Sequence, residues 1–139
     1  MPVNYGHIVL ASLGGIVTYF VCGSILFVAL PAMKAEFLKY PNVYRSQDAM
    51  MKVMPYNMVG ILISIAIAAV LYAKIYTTGG GIVASVYFGV LVGIFAVCTY
   101  AIHNYAMLNT GLALMLYEGI TYFVQWVAVG AAIGLVYKA

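Results

Sequence analysis

Glu118 is the only carboxylate that falls inside a long apolar run, in the stretch Tyr117-Glu118-Gly119-Ile120-Thr121-Tyr122-Phe123-Val124-Gln125. An acid at the centre of a membrane helix costs about 2.5–3.5 kcal/mol, so it must be paired, neutralised or in contact with water. Thr121, Tyr122 and Gln125 follow Glu118 at spacings of three, four and seven, which places one polar stripe along a single helical face. The preceding apolar run ends with His103 and Asn104, and Asn109-Thr110-Gly111 is a short turn between the two runs. In two antiparallel helices joined by such a turn, residues equally far from it share one depth. His103 and Asn104 precede Asn109 by six and five residues, and Glu118 follows Gly111 by seven. These side chains are therefore expected to meet, about 10 Å from the turn. Thr99 lies one turn before His103, and Asn57 opens another apolar run at a similar level.

Two kinds of chemistry suit such a cluster. One is a closed polar network that fixes helix register, with Glu118 protonated or bonded to His103 or a tyrosine. The other is a cavity for a proton, a small polar solute or a lipid head group, with Glu118 carrying the titratable charge. Other chemistries fit less well. His7 and His103 lie near opposite ends of their runs, so one chain cannot place both on a haem or metal, and no paired-Cys or His-Glu-x-x-His pattern is present. Neither a metal nor a cofactor is expected. Cys22 and Cys98 read as small hydrophobes, and no Ser-His-Asp set or carboxylate pair at one depth offers hydrolysis, so an enzyme is not expected.

The elements that must hold this cluster are membrane helices. The chain has 139 residues, 66% hydrophobic and 6% charged, with a mean hydropathy of +1.08. That leaves too little polar surface to cover a soluble globule. Four apolar runs, about 8–30, 56–76, 82–107 and 112–137, each reach the ~20 residues that a helix needs to cross a ~30 Å hydrocarbon layer. The fold class is therefore all-α: a single transmembrane domain, residues 1–139, folded as a four-helix bundle with a short interfacial helix or loop between helices 1 and 2. The first run has no basic residue before it and no A-x-A-like site after it, and is expected to be retained.

Lys34, Lys39, Arg45 and Lys52 lie between the first two runs, whereas only Lys74 and Lys138 lie on the other side. The positive-inside rule then places that connection in the cytoplasm and both termini outside. Phe37, Leu38, Tyr40 and Tyr44 alternate with charges in the connection, which predicts a segment lying on the membrane surface, its basic residues anchoring it or touching anionic lipid heads. The basic residues form no dense patch, so nucleic acid is not an expected partner. Ser46 is placed to cap a helix starting at Gln47, with a kink at Pro55. Most of the thirteen tyrosines fall where aromatic belts belong, among them Tyr72 and Tyr137 at the outer boundary. Tyr19, Tyr100 and Tyr122 are deeper and are assigned to the bundle interior. The methionines read mostly as loop and lipid-facing filler.

Thr77-Thr78-Gly79-Gly80-Gly81 predicts a tight turn that makes the second and third helices antiparallel neighbours. Gly15 on the first helix, Gly89 and Gly93 on the third, and Gly130 and Gly134 on the fourth supply small faces for helix packing, within the bundle or between copies.

The chain resembles a family of small four-helix bacterial membrane proteins known as a domain of unknown function. The likeness begins at Phe20-Val21-Cys22-Gly23-Ser24-Ile25-Leu26-Phe27, similar to the family's F-x-x-G-x-L-W-Y, with Leu26-Phe27 standing where the family has an aromatic pair. It continues in Gly89-x-x-x-Gly93 followed by Thr99 and Asn104, and in Glu118-Gly119 with Gly130-Ala131-Ala132-Ile133-Gly134. The resemblance implies the architecture and a bacterial origin, and no activity. Small multidrug-type exporters are of similar size, but they use a carboxylate in the first helix, where this chain has none.

The expected function is non-enzymatic: an accessory subunit of a larger membrane complex or a structural oligomer in the bacterial plasma membrane, in contact with membrane lipids. The alternative is a proton-linked carrier or channel for a small or lipophilic solute, working as an oligomer with Glu118 in its path.

Overall fold

The computed structural model describes residues 3–75 and 81–137. All its regular elements are helical: α1 (Tyr5–Ala29), α2 (Pro31–Leu38), α3 (Gln47–Ile75), α4 (Gly81–Ala96), a π-helical stretch over Val97–Ile102, α5 (His103–Met107) and α6 (Leu112–Val136). Four helical segments, Tyr5–Ala29, Gln47–Ile75, Gly81–Met107 and Leu112–Val136, are long and apolar enough to cross a membrane. The chain is thus an integral membrane protein with the all-α class predicted above. One end of the bundle carries the α1 to α3 connection and is called the basic end; the other, where Asn4 meets Tyr137, is called the terminal end.

Local sequence accounts for the boundaries. The Asn4 side chain accepts the His7 backbone N–H at 3.1 Å and caps α1. Pro31 opens α2 at a position where its missing N–H costs nothing. Ser46 caps α3 as expected, its Oγ accepting from Ala49 N–H at 3.4 Å. As expected, α3 starts at Gln47, nine residues before the apolar run, and continues through Pro55 as one 29-residue element. The predicted turn at 77–81 lies outside the described residues except for Gly81, whose φ of 51° is a conformation that suits glycine.

α6 is the hub. It packs along its length against α4 and, on another side, against α1, while α3 packs mainly on α1. The expected neighbourhood of the second and third spans is therefore limited: α3 and α4 meet through Tyr72 and Phe88, whose rings are 5.3 Å apart, but each takes its main partner elsewhere. The reason is the small-residue seam. A Cβ on Gly89 would lie 2.8 Å from the Val127 carbonyl oxygen, one on Gly93 3.0 Å from the Phe123 ring, and one on Gly130 would strike the Gly89 backbone. A Cβ on Gly134 would strike Ser85, and one on Gly15 would lie 2.8 Å from Ile65. All five glycines thus serve contacts between helices of this chain, where missing side chains let backbones close up in lipid.

Tyr72 and Tyr137 are not belt residues. Both are almost fully buried at the terminal end, with rings 6.1 Å apart, in a cluster with Ile8, Ile65, Phe88 and Ile133. Tyr5, Tyr56 and Tyr87 do face outwards.

Candidate functional site

The polar stripe of α6 is the site. Glu118, Thr121 and Gln125 are 5%, 9% and 6% exposed, and with Ser85 they are the buried polar residues among those described. Each is met by a different part of the chain. The Tyr44 hydroxyl donates to Glu118 Oε1 at 3.4 Å, Thr121 Oγ1 lies 3.4 Å from the Met33 sulfur, and Gln125 Nε2 donates to the Tyr19 carbonyl at 3.2 Å.

Two of these three partners come from the α1 to α3 connection. After Pro31 the chain turns back under the bundle, and α2 packs on α6 as well as on α1. The segment 31–46 forms a hook. Met33 reaches α6 from the first turn of α2, and Tyr40 and Tyr44 from the coil that follows. The Gly111 N–H, at the uncapped start of α6, donates to the Tyr40 hydroxyl at 2.8 Å, so a phenol supplies what a capping side chain would otherwise give. The Phe37 and Tyr44 rings meet edge to face at 4.9 Å, which holds the coil against α2. Lys39 pairs with Glu36 on the exposed side of the hook. The Tyr44 phenol is pushed up to about 12 from its ordinary 10.0, first by burial and then by the charge of Glu118. It therefore remains a donor at any physiological pH.

His103, Asn104 and Asn57 do not join this stripe. His103 is exposed and Asn104 half-buried. Asn57 is exposed, its amide directed at the Met54 sulfur at 4.0 Å within its own helix. For His103 the cause is the π-helical stretch. Gly89 and Gly93 face α6, and uninterrupted α-helical spacing would bring the same face round at His103 and Asn104. One wide turn over Val97–Ile102 adds a residue, so Ala101, fully buried, takes the inward place and His103 is rotated away. Distance from the turn along the chain does not by itself bring side chains together; rotation about the helix axis must agree as well. The same stretch leaves Tyr100 43% exposed instead of interior, its ring 4.6 Å from that of Tyr122, while Tyr19 is buried as expected. Thr99 donates to the Phe95 carbonyl at 2.7 Å.

No protein-family model, no curated protein and no solved structure matches this chain. The functional reading therefore rests on the site itself. Among the described residues no group of three or more His, Cys, Asp or Glu side chains is placed to hold a metal ion.

Beside the stripe, α1 and α6 leave an open groove of about 350 Å³, lined by Phe20, Gly23, Ser24, Phe27, Val28 and Gln125. Gln125 forms its floor by lying over Gly23, where any Cβ would strike the amide. The Ser24 hydroxyl is turned to its own helix, donating to the Phe20 carbonyl at 2.8 Å. Glu118 does not line the groove.

The residues that sequence reasoning missed are Met33, Tyr40 and Tyr44. Their signal was present: aromatic residues interleaved with charges on a short connection after a proline. It was read as contact with the membrane surface, and the buried acid in need of a donor was not linked to it.

Proposed function

We propose that the protein is a non-enzymatic helical subunit of a bacterial plasma membrane, acting by packing against other membrane helices in a larger complex or in an oligomer of itself. The observation that carries this reading is the closure of the α6 stripe: Glu118, Thr121 and Gln125 are each engaged by groups of the same chain. A carboxylate committed to holding a hook against a helix is a structural element. The resemblance of the Phe20–Phe27 stretch and of the glycine motifs to the four-helix family supports the same architecture. With four basic residues on the α1 to α3 side against Lys74 and Lys138 on the other, the basic end lies in the cytoplasm and both termini outside.

The test is the mass of the protein extracted into nanodiscs from its native membrane. A hetero-complex or a defined homo-oligomer is expected, unchanged by Glu118→Gln; a lone monomer in native extracts would refute the reading.

A proton-linked carrier is the second reading. It is favoured by one observation, the 3.4 Å separation of Tyr44 from Glu118, long for an O–H···O hydrogen bond, in a stripe that would have to open. It requires proton-coupled flux in liposomes that Glu118→Gln abolishes.

A further inference from the structure

The groove between α1 and α6 and the cations of the hook belong to one feature. From Phe20 to Val28 the groove follows α1 for about 12 Å, at about 1.5 Å per residue, and its walls are mainly aromatic and aliphatic, with Ser24 and Gln125 as the polar members. Its basic end is adjacent to α2, because Met33 touches Thr121, one helical turn from the floor residue Gln125. Lys34 follows Met33 directly and is exposed. Across the stripe, Arg45 follows Tyr44 and is also exposed.

Segment 31–46 carries Lys34, Lys39 and Arg45 against Glu36, a net charge of +2. Since Lys39 pairs with Glu36, the excess resides on Lys34 and Arg45, neither of which makes an ion pair among the described residues. An open, mainly apolar groove of this length, with two unpaired cations exposed on the segment that packs at its basic end, suits the form of a phospholipid.

We propose that this groove binds one phospholipid with an anionic head group, an acyl chain lying against Phe20, Phe27 and Val28 and the phosphate held by Lys34 and Arg45. A zwitterionic lipid would fill the slot equally well but would gain less from the two cations, each contact being worth roughly a fivefold preference near a membrane surface. The site is independent of whether the chain is an accessory subunit or a carrier, since it uses neither Glu118 nor any partner.

The full chain is purified and offered an equal mixture of phosphatidylglycerol and phosphatidylcholine, and retained lipid is read by native mass spectrometry. One retained phosphatidylglycerol per chain is expected, favoured at least about fivefold. Lys34→Glu with Arg45→Glu should abolish the head-group preference, and Ser24→Phe, which fills the slot from an exposed position, should abolish retention of either lipid while helical content by circular dichroism is unchanged. A second measurement uses the unaltered chain: phosphatidylglycerol with a photoreactive acyl chain should label the peptide spanning Phe20 to Val28. Equal retention of both lipids, or label distributed over the outer faces of α3 and α4 as heavily as over this peptide, would overturn the proposal. So would protection of the groove from label in the native complex but not in the purified chain, the mark of a partner helix seated there.

Discussion

The smallest unit of the site is one phenol and one carboxylate. A buried acid left without its donor costs about 1–3 kcal/mol, so Tyr44→Phe should lower unfolding stability in nanodiscs by about that much. In a Glu118→Gln background the same change should cost less than half, because the amide needs the phenol less; equal costs in both backgrounds would show that the two groups are not coupled. The pH dependence has a definite sign. Below pH 10 both the folded and the unfolded chain keep the Tyr44 proton, and stability does not vary on its account. Between pH 10 and about 12 the unfolded chain releases the proton while the folded chain holds it, so the contribution is lost as pH rises through that window. Phenolate absorbance of the native protein against Tyr44→Phe should therefore differ by one late-titrating group near pH 12.

At the scale of elements, the glycines and the π-helical stretch decide how α4 and α6 meet. Gly130 faces the Gly89 backbone, which cannot move aside as a side chain tip would; Gly130→Ala should cost about 1–3 kcal/mol by overpacking. Gly60 has nothing within 4 Å of its would-be Cβ, so Gly60→Ala should be neutral or stabilising by up to about 1 kcal/mol. Thermal unfolding of the two variants side by side separates a packing glycine from an incidental one. Deleting Thr99 should return Val97–Ile102 to ordinary α-helical spacing and swing residue 103 towards α6. A cysteine placed at His103 would then lose its reactivity with a membrane-permeant maleimide; retained reactivity would mean that the wide turn is not what rotates it. These elements also mark the limits of sequence reading. Long apolar runs, the Ser46 cap and the small faces at Gly15, Gly89, Gly93, Gly130 and Gly134 were legible because each is a local signal with a single physical cause. The exposure of His103 was not, since a π-helical turn changes rotation without changing composition or depth. Nor was the Tyr44 partnership, which joins residues 74 apart in the chain through a fold-back that no period announces.

For the whole molecule, the arrangement α4, α6, α1, α3 is a row organised on one helix, with a hook underneath it. The basic half of α3 is the least covered part of that row: Tyr56, Met58, Val59 and Ile63 all face outwards, while Ile65, Ala68, Ala69 and Tyr72 are buried. If partner helices bind there, Ile63→Trp should reduce the mass of the native assembly in nanodiscs without changing the thermal stability of the isolated chain. The position of α6 in this row also has a consequence for biosynthesis. Of these four spans α6 is made after the other three, so α1 and α4 enter the bilayer before the helix they mainly pack on exists, and the hook is made some seventy residues before the strip it closes. A nascent chain halted before Leu112 would hold α1 against α3 through Gly15 and Ile65, but would leave the Gly89 and Gly93 face of α4 open to lipid, with the Tyr72–Phe88 contact alone to tether it. Quality-control proteases of the membrane would meet such chains as substrates, and completion of α6 is the event that removes them from reach.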